Sequence, residues 1–309
     1  MGKNRRIIIL TGGFSEEAEV SKTTSNEVAS ALESRKYEIK LIDPSNYKTY
    51  SEMIKAIREF NPFIVFNGLH GAEGEDGRIQ SLLSLEKIPF TGSAYRASAI
   101  SMDKYISGVL VKYIGISIPM RYLLYKDYVI DSDMIIKKIG FPMVVKPNDS
   151  GSSVGISIIA KADELKQATS KAFKYSDKVL LEQFIKGREL TVAILGEKAL
   201  PVVEIKPKNG WYDYANKYTK GHTIYEVPAK LTEQESSKIQ RQAQEIFKLF
   251  GCKAYARVDF RYDGKDFYFL EVNTLPGMTA LSLTPMAAKE TGLSFGELLE
   301  KIIEFSQTK

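Results

Sequence analysis

One cysteine, one tryptophan and two histidines stand in 309 residues. Cys252 alone excludes an internal disulfide framework, and with only His70 and His222 beside it no Cys/His zinc site can be assembled. Any metal must then be held mainly by oxygen. Long apolar runs are missing as well. Ile7 to Leu10, behind a few basic residues, is far too short for a signal h-region or a membrane span, so a cytoplasmic protein without a membrane partner is expected. Neither sign of charge dominates: 43 Lys and Arg oppose 38 Asp and Glu. The basic surplus is scattered, which argues against a nucleic-acid partner and suits small anionic ligands. What remains is 44% apolar and 26% charged, enough for two or three packed domains.

The order of apolar patterns predicts an α/β fold. Ile7 to Leu10 reads as a strand, Thr11-Gly12-Gly13 as a turn, and Val20 to Ser34 as a helix. The alternation recurs with Glu38 to Ile42, a helix near Ser51 to Glu59, Phe63 to Phe66, a glycine-rich loop from Gly68 to Gly77 and, after another helix, Ile88 to Thr91. Such βαβ order implies a parallel sheet whose ligand edge lies at the carboxyl ends of its strands. After Lys104 an α+β unit is expected, with strands at Met143 to Lys146, Val154 to Ile159 and Val179 to Phe184, and a helix from Asp163 to Phe173. A third section pairs Glu189 to Leu195 with Leu200 to Ile205. It continues through a loop from Lys206 to Tyr225, an amphipathic helix from Thr232 to Phe250, and a hairpin of Ala254 to Arg261 and Phe267 to Asn273 about Asp263-Gly264.

Several nucleotide and metal signatures are missing: G-x-x-x-x-G-K-[ST], G-x-G-x-x-G and H-E-x-x-H. Gly151-Ser152-Ser153-Val154-Gly155 matches the G-x-S-x-G elbow, with Asp213 and His222 following in hydrolase order. That elbow needs a helix after Ser153, whereas Ile156 to Ile159 reads as a strand. A loop of small residues between strands can instead close its N–H groups over a polyanion. In the hairpin, period-2 geometry puts Glu271 and Asn273 on one face with Asp259 able to face them. Three converging oxygen groups suit a hard cation such as Mg²⁺ shared with phosphates, although an acidic hairpin is also an ordinary solvated face. Arg257 shares the face of Asp259. It either helps the Gly277 N–H to hold a developing oxyanion or forms a salt bridge to Asp259 or Glu271.

The strings GGFSEEAEVS, LHGAEGEDG, PFTGS, SMDK, VVKPNDSGSSVG, LLEQFIKGRELTVAIL, YDYANKY, RVDF and EVNTLPGMT follow one another along the chain. In order and spacing they resemble the D-alanine:D-alanine ligases of the ATP-grasp superfamily, from about Arg6 to Phe305. The resemblance implies a Rossmann-like domain at 1–103 and two ATP-grasp subdomains at 104–186 and 187–309, with a lid at 206–225. It also implies a reaction for peptidoglycan precursor synthesis: ATP phosphorylates one D-alanine, and the amine of a second attacks the acyl phosphate. Glu17, Ser152 and Tyr218 would form a closing network, with Glu17 on the first D-alanine's ammonium and His70 near its carboxylate. Lys104, Lys146, Lys217, Ser152 and Ser153 would face the phosphates, and Glu182, Gln183, Phe184 and Glu189 the adenosine. Asp259, Glu271 and Asn273 would hold two Mg²⁺ ions, with Mn²⁺ as a substitute and a monovalent cation as a further requirement to be tested. Arg257 and Gly277 would form the oxyanion hole, and Ser282 and Leu283 would receive the second substrate. Gln183 and Ala18 stand where many relatives carry basic residues. Lys217-Tyr218 matches the dipeptide-forming type, D-lactate and D-serine being the rival acceptors. A homodimer joined through the first domain is also implied.

Overall fold

The structure is a computed structural model that describes residues 5–128, 131–151, 154–208, 222–280 and 282–308. Its first unit is built on β1 (Arg6–Leu10), whose Ile7, Ile8, Ile9 and Leu10 are all fully buried. A strand apolar at every position must be covered on both faces, and the elements that follow supply the cover. Next along the chain are α1 (Ala18–Ser34), β2 (Glu38–Ile42), α2 (Tyr50–Phe60), β3 (Ile64–Asn67), α3 (Arg78–Leu85) and α4 (Tyr95–Met102), with α1 against Ile7 and Ile9 and with α2 and α3 against Ile8 and Leu10. The sheet is parallel in the order β2-β1-β3. The expected fourth strand at Ile88 to Thr91 is reduced to one bridge, between Val65 and Phe90. Pro89 has no N–H to donate, and Gly92 turns the chain at φ +86°.

Next come α5 (Lys104–Tyr113), β4 (Arg121–Tyr125), α6 (Ser132–Ile139), β5 (Met143–Pro147), β6 (Ser157–Ile159), α7 (Leu165–Ala172) and β7 (Lys178–Gln183). The strands make an antiparallel sheet in the order β4-β7-β5-β6. Leu124, Ile135, Val145, Ile159, Leu165 and Leu181 belong to its own core. β6 is shorter than the expected Val154 to Ile159. Gly155 stands at φ +73° in a turn, where an added Cβ would press on Tyr175 and Pro147.

The last section holds β8 (Arg188–Leu195), β9 (Lys198–Ala199), β10 (Val203–Pro207), β11 (Thr223–Glu226), α8 (Glu233–Phe250), β12 (Tyr255–Tyr262), β13 (Phe267–Asn273), α9 (Leu283–Glu290) and α10 (Phe295–Gln307). Its sheet runs β11-β10-β8-β12-β13, with β9 pairing on β8. The expected Leu200 to Ile205 strand starts only at Val203 and runs to Pro207 as β10; Pro201, which cannot donate to the ladder, stands between β9 and β10. α8 begins at a capping box between Thr232 and Glu235 and buries Ile239, Ala243, Ile246, Phe247 and Phe250.

Two features of the packing position the site. Ile7, Ile9, Val28 and Leu32 share one core with Leu298, Leu299, Ile302 and Ile303 of α10, and Arg35 pairs with Glu300 across the same seam at 2.5 Å. Val111 of α5 and the following Ile116 belong to the core beneath α8, β12 and β13, so α5 is bound to the C-terminal sheet although it precedes the central one. Among the described residues, no helix is long and apolar enough to cross a membrane.

Candidate active site

A cavity of about 850 Å³ opens between the central and C-terminal sheets and the strand-end loops of the first unit. Its central wall is set by β5 and β7. Arg121 faces Glu182 directly across the β4–β7 ladder, while Lys146 stands diagonal to Glu182 across β5–β7. The Glu182 carboxylate is therefore shared: Oε1 lies 2.5 Å from Arg121 Nε, and Oε2 pairs with Lys146 Nζ. Burial pushes the Lys146 ammonium below the ordinary lysine range, against the pull of Glu182. Burial would raise Glu182, but the Arg121 and Lys146 charges outweigh it and hold the carboxyl below its usual range. Lys104, at the start of α5, donates from Nζ to the Ser150 carbonyl at 2.8 Å and pairs with Glu271 Oε2 at 3.1 Å.

The opposite wall is the β12–β13 hairpin. Asp259 stands opposite Glu271 and Arg257 opposite Asn273, as the alternation of the strands requires, and a register shift follows immediately after Asp259. Arg257 donates from Nε to Asp259 Oδ1 at 2.9 Å and from Nη2 to Oδ2 at 2.8 Å. This is the salt bridge that forms the ordinary account of Arg257. Thr191, paired with Asp259 across β8–β12, donates from its hydroxyl to Oδ1 at 2.5 Å. Asn273 Oδ1 accepts the Leu275 N–H at 3.0 Å. Among the described residues, no group of three His, Cys, Asp or Glu side chains is arranged to hold a metal. The cluster is two carboxylates and an amide, with the carboxylates held by Arg257 and Lys104. Such all-oxygen chemistry, with positive groups already drawn to it, fits a hard cation.

The third wall comes from the first unit and the loop after β13. Glu17 immediately precedes α1, and an added Cβ at Gly151 would stand 3.1 Å from its Oε2, which places it against the loop that continues to Ser152. His70 is 7% exposed, with Nδ1 3.3 Å from Glu75 Oε1 and Nε2 3.3 Å from Thr24 Oγ1. Gly277, Ser282 and Leu283 line the cavity beside them. Ser282 Oγ accepts the Thr279 N–H at 3.1 Å, and Glu27 of α1 accepts the Ala280 N–H at 2.7 Å. At the outer end lie Gln183, Phe184 and Glu189, with Arg261 over the Phe184 ring and 3.2 Å from Glu189.

The cavity thus gathers Glu17, His70, Lys104, Lys146, Glu182, Gln183, Phe184, Glu189, Arg257, Asp259, Glu271, Asn273, Gly277, Ser282 and Leu283. Ser152, Ser153, Lys217, Tyr218 and Asp213 lie outside the described residues, as does 209–221 of the expected lid. The elbow geometry is absent where it can be read: a turn and β6, not a helix, follow Val154. His222 is exposed and does not line the cavity. Sequence reasoning passed over Arg121, Thr191, Glu75, Thr24 and Glu27. Arg121 left a readable signal, a charge heading the apolar strand RYLLY; the others are polar side chains whose partners only folding supplies.

Two open sheets that close on a lysine-walled, carboxylate-floored cleft define the protein as an ATP-grasp enzyme of the ligase class. Residues 110–304 match the sequence profile described as D-ala D-ala ligase C-terminus. The chain is 45% identical to the D-alanine--D-alanine ligase of Methylacidiphilum infernorum, over 98% of this chain and 95% of that one. The crystal structure of D-alanine--D-alanine ligase from Bacillus anthracis complexed with ATP is similar at a TM-score of 0.84 and 35% identity, covering 98% of this chain and 96% of that one. The VanG D-Ala:D-Ser ligase from Enterococcus faecalis is similar at a TM-score of 0.80 and 31% identity, covering 98% and 100%. The chain belongs to the D-alanine–D-alanine ligase family.

Proposed function

We propose that the protein joins two D-alanines into D-alanyl-D-alanine, converting ATP to ADP and phosphate through a D-alanyl phosphate, for peptidoglycan precursor synthesis. The observation that carries the reading is the meeting, in one cavity, of two lysines, an acid–amide cluster, Arg257 and Gly277. A carboxylate is a poor electrophile until it bears a leaving group, and phosphoryl transfer is mainly a matter of position and charge neutralisation. Glu17 pairs with the ammonium of the first D-alanine, and His70, steadied by Glu75 and Thr24, faces its carboxylate. Lys104 and Lys146, with Lys217, Ser152 and Ser153, draw the phosphates in, while Gln183, Phe184 and Glu189 take the adenosine and Glu182 acts through Lys146. Held by Asp259, Glu271 and Asn273, Mg²⁺ or Mn²⁺ would neutralise charge on the terminal phosphates.

The first carboxylate oxygen bonds to the γ-phosphorus as the bond to ADP breaks. The free amine of the second D-alanine, its carboxylate toward Ser282 and Leu283, then attacks the acyl carbon. Arg257 and the Gly277 N–H receive the oxyanion, and phosphate leaves. Tyr218 with Ser152 and Glu17 completes the closed site. The enzyme is read as a cytoplasmic homodimer joined through 1–103, with 104–186 and 187–309 gripping ATP. Sedimentation would test the dimer, and omission of monovalent salts the need for such a cation.

The decisive assay is phosphate release from MgATP on adding D-alanine, followed by chromatography of the product. D-alanyl-D-alanine is expected. No D-alanine-dependent phosphate would sink the reading, and a product formed only with D-lactate or D-serine would change the acceptor. The likeness to the D-Ala:D-Ser ligase makes that comparison necessary.

A further inference from the structure

Arg121, the first residue of β4, has a side chain only 3% exposed, yet it lies outside the motifs and outside the chemistry above. Its guanidinium reaches three elements at once. Nε lies 2.5 Å from Glu182 Oε1 on β7, without hydrogen-bond alignment, so that this link is ionic. Nη1 donates to the carbonyl of Lys104 on α5 at 2.8 Å. Nη2 donates to the carbonyls of Phe269 and Leu270 on β13, at 3.1 and 3.0 Å.

Each of these partners adjoins a charged group of the cavity. Glu182 holds the Lys146 ammonium, Lys104 sends its own ammonium to Glu271, and Leu270 immediately precedes Glu271. A buried cation is unfavourable unless its charge and its donors are met, and the planar fork of arginine can meet several directions where the point charge of lysine cannot. The fold also keeps room for it: a Cβ added at Gly108 of α5 would overlap the guanidinium.

We propose that Arg121 is a positioning residue for nucleotide binding, fixing β7, α5 and β13 so that Lys146, Lys104 and Glu271 share one orientation before the polyphosphate arrives. The proposal rests on the nucleotide reading of those lysines given above. Arg121 touches no reacting atom; it acts by preorganisation, removing motion that binding would otherwise have to arrest. A tie with structural consequences alone would lower the melting temperature and leave the folded fraction binding nucleotide as before.

Calorimetric titration of MgADP into the full chain separates the two, with thermal unfolding measured alongside. Arg121→Met is expected to weaken binding roughly tenfold or more, since it leaves Glu182 to Lys146 alone and frees the carbonyls. Gly108→Ala keeps every charge and favours the helix, but it displaces the guanidinium, so a loss of about threefold or more is expected. That loss should vanish in the Arg121→Met background, because the two changes act through one group. In turnover, KM for ATP should rise in both variants while KM for the first D-alanine stays put.

Wild-type affinity in both folded single variants overturns the proposal. So does a Gly108→Ala effect undiminished in the double variant, which would assign the loss to α5 packing. If Arg121→Met does not fold, Arg121→Lys, which keeps the charge and loses the planar fork, replaces it both alone and in the double variant with Gly108→Ala. If the unaltered protein takes up no MgADP, the nucleotide reading falls first and this proposal with it.

Discussion

Arg257 is engaged by both oxygens of Asp259, so its guanidinium is fixed by a two-point contact at the wall of the cavity. A group fixed in this way is suited to charge that develops late. Arg257→Ala should lower turnover by roughly a hundredfold or more, the scale of an oxyanion donor, while MgADP affinity changes little. Equal losses in both measurements would leave only the salt bridge.

Lys146 gives a second prediction at this scale. Burial lowers its ammonium from the ordinary 10.5, so the charge it would offer to a phosphate in the proposed reaction is lost earlier as pH rises. The same shift means that the folded state binds the proton less well than the unfolded chain. Its destabilising effect is thus greatest with both states protonated and lessens as pH rises through the folded value. Nucleotide affinity should decline at a lower pH than an ordinary lysine would allow, and Lys146→Arg, which stays protonated, should flatten that decline. A decline of the same shape in the arginine variant would assign it to another group.

Among the elements, those specified by local pattern were legible in the sequence and those cut by backbone chemistry were not. β13 and β2 occupy the expected residues, and the Asp259, Glu271 and Asn273 face follows from alternation alone. Pro89 and Pro201 shorten strands that their apolar neighbours favour, because the missing donor counts only once a ladder is laid beside them. The sharing of Glu182 between two cations was hidden too, since Arg121 and Lys146 lie far apart in sequence and meet on strands adjacent to β7.

α8 carries a prediction of its own. A hydrogen bond from Tyr262, and others from Thr232, hold the Glu235 carboxyl at about 2, below the ordinary 4.5. A depressed carboxylate contributes stability that is present above its unfolded value and is lost as pH falls toward the folded one. Acid unfolding of Tyr262→Phe should accordingly begin at a higher pH than in the parent, as followed by circular dichroism. Superimposable acid curves would show that the contact contributes nothing.

At the scale of the molecule, the separate core of the β4-β7-β5-β6 sheet contrasts with the core that joins the first unit to the C-terminal section. Leu181→Ala, at a fully buried position, should cost about 2–5 kcal/mol. Hydrogen exchange should find most of that loss in the central strands, with β1 and β12 still protected. Uniform loss of protection would mean that the two cores melt as one.

The seam between α1 and α10 also sets a timetable for synthesis. Val28 and Leu32 leave the ribosome long before Ile302 and Ile303, the side chains that complete their enclosure. The nascent first unit must therefore carry an uncovered apolar flank through most of translation, and a stall near residue 280 should deliver it to chaperones, not to a finished fold.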